Sequence, residues 1–106
     1  WALDNGIPLT VLVRAMSEAP ARLFGLSHRK GSLAPGADAD IIIVDPALRQ
    51  TVDVKSIAPA VCPNPVADRA LAGWPDITIS RGEVVWHDGR VTGMPGRAQL
   101  ITQQRT

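Results

Sequence analysis

Leu9, Leu12, Val13 and Met16 fall at i, i+3, i+4 and i+7, the spacing of one apolar helical face. The spacing predicts a helix that begins near Gly6 and Pro8, proline being tolerated in a first turn. Pro20 disfavours helical geometry at Ala19, so this helix is expected to stop or kink near Glu18. A second short helix, Pro20 to Phe24, should follow, with Leu23 and Phe24 as its apolar anchor and Gly25 as its C-cap.

Downstream the period changes. Ala39-Asp40-Ile41-Ile42-Ile43-Val44 is β-branched and closes on Asp45-Pro46, which predicts a strand buried on both faces. Lys30 to Gly36, punctuated by Gly31 and Gly36, predicts a short strand between turns, and Thr51 to Val54 a weaker one. A meander closes the pattern. Ile77-Thr78-Ile79 leads through Arg81-Gly82 to Glu83-Val84-Val85-Trp86, then through Asp88-Gly89 to Arg90-Val91-Thr92. Asp-Gly marks a two-residue hairpin because a type I′ turn needs positive φ at both positions. Between these regions, Ala58 to Pro75 holds four prolines and reads as an irregular arm with a short helix near Ala67 to Leu71. The expectation is an α+β chain: helices over 1–26, strands over 27–100 with the arm at 58–75, and a polar tail at 101–106.

Composition narrows the function classes. The 106 residues are 45% hydrophobic and 20% charged, with a net charge of +1 and scattered basic residues, so no field draws in nucleic acid or an anionic membrane. Aromatic content is 4%, with no tyrosine, which leaves few stacking platforms for bases. A lone cysteine, Cys62, cannot form an internal disulfide, and it reads as an inert thiol in a reducing cytoplasm. No apolar run approaches the ~20 residues of a membrane-spanning helix, and the first residues do not form a signal peptide. The chain opens on Trp1 rather than Met, from which a piece of something longer is expected.

Candidate chemistry is sparse. His28 and His87 are far apart in sequence and belong to no HxH or HExxH pattern, so both read as turn or surface residues. Asp38 and Asp40 are two apart and would share one side of a strand, an arrangement open to acid/base work or cation binding. The structural alternative has Asp38 closing a turn through backbone N–H groups and Asp40 meeting a basic partner at the strand entrance, and it is preferred. No serine sits in a Gly-x-Ser-x-Gly elbow, Gly93-Met94-Pro95-Gly96 lacks the Lys-Ser/Thr of a phosphate loop, and Lys30 and Lys55 are the only lysines.

The same motifs carry a likeness. Ser17-Glu18-Ala19-Pro20-Ala21-Arg22-Leu23-Phe24-Gly25-Leu26 resembles the S-x-x-P-A-[RK]-x-F-G-L segment of the amidohydrolase superfamily. Lys30-Gly31-Ser32-Leu33, running on through Asp38-Ala39-Asp40 to Asp45, is similar to its K-G-x-[IL]-x-x-G-x-[DY]-A-D-[IL]-V-[IV]-x-D signature. Thr78 to Val85 and Gly89 to Leu100 look like the closing segments of dihydropyrimidinases, hydantoinases and allantoinases, and many dihydroorotases end similarly. One departure is Asn64-Pro65-Val66, where many relatives place an aromatic residue after the proline.

The resemblance implies a TIM barrel with a small β-sandwich built from both chain ends. Leu9 to Leu26 would be the last barrel helix and its exit, and Leu33 to Thr92 the C-terminal sandwich strands. It also implies hydrolysis of a cyclic amide by a hydroxide bridging two metal ions, usually zinc. The family's ligands are an HxH pair, a carboxylated lysine, two more histidines and an aspartate, and none maps onto a residue here. No catalytic, metal-binding or substrate-binding residue is therefore expected in this chain.

The expected function is that of a C-terminal structural segment of such a hydrolase. The alternatives are a stand-alone binding or assembly module and, last, a small enzyme using Asp38, Asp40 and His87. Expected partners are the remainder of the hydrolase chain or a second copy, without nucleic acid or membrane. A sandwich lacking its other strands would leave an open edge and an apolar face around Ile41, Ile43, Val84 and Trp86, which invites pairing. The isolated chain should accordingly either self-associate or need the rest of the enzyme. Size-exclusion chromatography with light scattering checks this, and a dilution-stable monomer would count against it.

Overall fold

The computed structural model describes residues 2, 5–53 and 66–102. Its elements are α1 (Leu9–Val13), a wide π-turn (Arg14–Glu18), α2 (Ala19–Leu23), β1 (Ile41–Thr51), β2 (Ala70–Ser80), β3 (Glu83–His87) and β4 (Arg90–Val91). This is an α+β arrangement. One helical rod is followed by a four-stranded antiparallel sheet in the order β1-β2-β3-β4.

The rod does not stop near Glu18, but it is irregular up to that residue, and the short second helix expected over Pro20 to Phe24 follows as α2. Glu18 and Ala19 keep right-handed helical dihedrals and the helix continues into Leu23. Pro20 has no N–H to donate, and the turn before it widens so that the Ala19 N–H reaches the Arg14 carbonyl, five residues back. The missing donor is absorbed by a π-turn rather than by a stop. The rod does end as expected. Gly25 is left-handed (φ 66), the Leu26 N–H reaches the Ala21 carbonyl at 2.7 Å, and the Gly25 N–H reaches Arg22 at 3.1 Å. These two bonds form a Schellman cap.

The stretch Lys30 to Gly36 forms no strand. The Asp38 N–H donates to the Arg29 carbonyl at 2.9 Å, which draws the ends of this stretch together into a closed loop that cannot lie extended beside a neighbour. The loop leans on the rod through Gly31. A Cβ there would lie 2.6 Å from the Ala21 Cβ and 2.8 Å from the Ser17 carbonyl oxygen, and φ is +82. Only glycine fits this contact.

Asp45-Pro46 marks no boundary, because β1 runs through it to Thr51; the weak strand expected over Thr51 to Val54 does not form a separate element, since Thr51 ends β1, Val52 and Asp53 lie beyond it and Val54 is outside the described residues. Between Asp45↔Trp74 and Arg49↔Ala72 the residues Pro46, Ala47 and Leu48 bulge outward, so the ladder asks nothing of the proline nitrogen. The Asp45 Oδ1 accepts the Ala47 N–H at 2.8 Å and so gives the bulge a partner. Past Thr51 the pairing closes through Val52 N–H to Arg69 O at 3.1 Å, and Val52 is buried.

The expected helix at Ala67 to Leu71 is also overturned. Ala70 and Leu71 pair with Thr51 and Gln50 at the start of β2, long-range pairing overriding local helix propensity. Of the expected arm, residues 70–75 are therefore strand, and 54–65, with Cys62 and Lys55, lie outside the described residues. Both tight turns have positive φ at both positions: Arg81 and Gly82 (48 and 80), Asp88 and Gly89 (50 and 72).

The expected double burial of Ile41 to Val44 is not what the chain shows. Ile42, Ile43 and Val44 are 61%, 46% and 47% exposed, and among the described residues only Ala21 and Val52 are buried. The chain presents 8569 Å² to solvent, against roughly 5,700 Å² for a compact monomer of this size. Its radius of gyration is 15.7 Å, against roughly 13 Å. The pairings Ile41↔Ile79, Ile43↔Ile77 and Ile79↔Val84 put five apolar residues on one sheet face. Trp86 pairs with Thr78 across a bulge, which turns it to the other face, away from Ile41, Ile43 and Val84.

Replacing Gly31 by alanine should cost about 3 kcal/mol, from a strained left-handed residue and an overpacked contact with Ala21 and Ser17. Urea unfolding followed by circular dichroism measures it.

Candidate functional site

Three segments meet where the loop joins the sheet. The Leu26 carbonyl accepts the N–H groups of Arg29 and Lys30, forming a turn that presents both side chains toward Asp38 and Asp40. Arg29 donates to Asp38 Oδ1 through Nε at 3.2 Å and Nη2 at 2.9 Å. Lys30 Nζ sits 2.9 Å from Asp38 Oδ2 and pairs with Asp40 Oδ2 as well. The Asp38 Oδ2 is shielded from solvent and lies off the hydrogen-bond axis of Nζ, so its compensation is electrostatic. Asp40 Oδ1 accepts the Arg81 N–H at 2.7 Å, and the Gly82 N–H donates to the Ala39 carbonyl at 3.0 Å. The β2–β3 turn is thereby held in its left-handed conformation from the loop side.

A second layer closes the far side. Arg81 donates to the Arg97 carbonyl. Arg97 donates to the Ser80 carbonyl at 3.1 Å and pairs with Glu83 at 2.9 Å. A shallow cavity of about 200 Å³ lies between the layers, bordered by Lys30, Asp40, Arg81, Arg97 and Gln99 among others. Its charges are already paired to one another, which leaves little unopposed field for a ligand.

The pairing shifts the acid–base equilibria. Lys30 holds Asp40 below the ordinary carboxylate value of 3.8, and the Arg81 N–H adds to this. Lys30 and then Arg29 lower Asp38 in the same way. The hydrogen bond to Asp40, opposed by partial burial and aided by Asp38, raises Lys30 above 10.5. Both acids are ionised at neutral pH, and neither is poised to exchange a proton there.

Asp40 does meet a basic partner at the strand entrance, Lys30, although both acids precede β1 rather than lie on a strand. Asp38, however, bonds side chains rather than closing a turn through backbone N–H groups. Its partners lie in Arg29-Lys30, a doublet that reads locally as an exposed basic turn. Arg81 is marked in the sequence only as a turn residue and Arg97 by no local chemistry, since the role of each at the node depends on the hairpin. His87 lies at the other end of β3, with Nδ1 3.3 Å from Asp88. Among the described residues no three His, Cys, Asp or Glu side chains gather as a metal site would require. No helix among them is long and apolar enough to cross a membrane.

This geometry defines a class before it defines a family: a helix and sheet joined by a self-neutralised ionic node, with wide apolar surfaces left open. The chain belongs to the amidohydrolase family, whose profile matches residues 1–85. It is similar to the D-phenylhydantoinase of Escherichia coli O1:K1 / APEC, at 37% identity over 102 residues, covering 96% of this chain and 22% of that protein. It is similar to the D-hydantoinase of Geobacillus stearothermophilus at 35% identity, covering 93% and 21%. Among solved structures, D-hydantoinase from Bacillus sp. AR9 superposes with a TM-score of 0.87 at 34% identity, covering 97% of this chain and 22% of that one. L-hydantoinase (dihydropyrimidinase) from Arthrobacter aurescens gives 0.79 at 35% identity, covering 86% and 20%. The chain thus spans about a fifth of the length of the relatives it matches.

The carboxylates should make stability pH-dependent at both ends. Their contribution is full above about pH 3.8 and is lost as pH falls through their lowered pKa values. The Lys30 contribution is full below 10.5 and is lost as pH rises through its raised value. Urea midpoints measured across pH should form a plateau between these limits. Asp40→Asn should lower the plateau and shallow its acid flank.

Proposed function

We propose that this chain is the C-terminal structural segment of a cyclic-amide hydrolase, and that hydrolysis of a cyclic amide C–N bond belongs to the whole protein rather than to this part. One observation carries the reading. A chain that matches hydantoinases over nearly all its length, and over only a fifth of theirs, leaves Leu9, Val13 and Met16 on its helix and Ile42, Ile43 and Val44 on its sheet in solvent. Apolar surface of that extent is what a partner covers.

In this reading the rod is the last helix of a barrel, and β1 to β4 are strands of a small sandwich. The partner is the remainder of the hydrolase chain, assembled further as a homo-oligomer in the cytoplasm without nucleic acid or membrane. The metal that the family implies, two zinc ions, would be held outside this segment. The described residues do not fit it, since no ligand cluster exists among them and the acids at the node are committed to Lys30 and Arg29. The substrate is a hydantoin or dihydropyrimidine ring by analogy with the named relatives, and its recognition would also lie elsewhere.

An antibody raised against this chain tests the reading in the source cells. The expected product is several times larger than the chain and opens hydantoin rings after immunocapture. A native product of the chain's own size would favour a stand-alone binding or assembly module instead. The purified chain, with or without added zinc, should not hydrolyse hydantoin, and activity abolished by Asp40→Asn would overturn the proposal.

A further inference from the structure

Among the described elements, no Cα of α1, the π-turn or α2 lies within 8 Å of a strand Cα. Among the described residues, 26–40 form the chain segment that runs from one to the other. On one side this loop rests on the rod by the close approach of Gly31 to Ala21 and Ser17. On the other it holds the sheet by two backbone donors, Arg81 N–H to Asp40 Oδ1 and Gly82 N–H to Ala39 O. Within the loop, beside the Asp38 N–H to Arg29 carbonyl bond, Lys30 ties the part next to Gly31 to the part next to Arg81, because among the described residues it is the cation that pairs with both Asp38 and Asp40.

We infer that the Lys30–Asp38–Asp40–Arg81 node is a latch that sets the orientation of the helix relative to the sheet, and that opening it frees the two units while leaving each folded. Two features support a latch over an ordinary surface pairing. Lys30 and Asp38 are only 22% and 16% exposed, so their attraction is less screened than that of surface pairs. Each unit also has its own closure independent of the node: the Schellman cap at Gly25 for the rod, and the β1–β2–β3 ladders for the sheet. The charged groups facing the node are Arg29 from the loop, and Glu83 and Arg97, which pair with each other behind Arg81. None of them can replace a cation that joins both aspartates. The inference concerns this chain's own mechanics and stands apart from the hydrolase reading.

Spin labels on Met16→Cys and Val91→Cys, positions 71% and 76% exposed, would read the orientation in a Cys62→Ser background. The labelled chain is diluted with unlabelled chain so that only distances within one molecule are measured by pulsed electron paramagnetic resonance. The expected result is one narrow distance peak. That peak should be lost in the Lys30→Gln, Asp40→Asn double variant, with the far-ultraviolet circular dichroism unchanged. Raising salt from roughly 0.05 to 1 M on the otherwise unsubstituted chain should broaden the same peak, since the screening length falls to about 3 Å. A peak that stays narrow in both arms overturns the latch, as does one already broad in the parent. Loss of the sheet signal in the double variant would overturn it too, because a latch opens without unfolding what it joins.

Discussion

Lys30 is the point on which the described structure turns. Its ammonium group lies against two carboxylates that come from the far end of its own loop. One of those carboxylates also accepts a backbone N–H from the β2–β3 turn. A small protein ordinarily relates its elements through a shared apolar core. Here only Ala21 and Val52 are buried among the described residues, so the core cannot do this. A network of half-buried charges takes over, with a glycine contact beside it. Such networks are directional where apolar contacts are not, which suits a joint whose angle matters more than its strength.

The parts of this architecture that could be read from sequence were those whose cause is local. The apolar helical spacing, Gly25 as a cap and Asp88-Gly89 as a hairpin turn each depend on one or a few residues, and each appears in the structure. The readings that failed depended on partners distant in sequence. Pro20 marks an irregularity near Glu18 but not its form, because the widened turn that accommodates it draws on the Arg14 carbonyl. Pro46 looked like a strand end because nothing nearby reveals the bulge opposite Gly73. Ala67 to Leu71 looked helical because the partners Thr51 and Gln50 lie some twenty residues upstream. The node was half legible: a basic partner for Asp40 was expected at the strand entrance, but that the partner is Lys30, and that Asp38 shares it, was not. Arg81 and Arg97 acquire their roles only once the hairpin brings them beside the loop.

The exposure of Ile42, Ile43 and Val44 follows the same logic in reverse. The run reads as a doubly buried strand, and nothing in the described residues covers it. The chain spans about a fifth of its relatives' length, and the pattern supports the proposal that it is a segment of a larger protein. The same holds for Leu9, Val13 and Met16 on the rod. The two surfaces lie on separate units, so one small ligand could not serve both.

The widened turn at Arg14–Glu18 has a further consequence. A π-turn inserts one extra residue into the helical count, which rotates everything beyond it by about 100° relative to an unbroken α-helix. At about 100° per residue Ala21 would stand roughly 120° from Leu9 on an unbroken helix, and one step back brings it to roughly 20°, beside the stripe through Leu9, Val13 and Met16. A straight helix of the same sequence would hold the Gly31 contact about a third of a turn away from that stripe. The single step in phase gathers the loop contact and the apolar stripe onto one side of the rod. A one-residue deletion within Arg14–Glu18 would then turn the two apart before it changed how well the rod is folded.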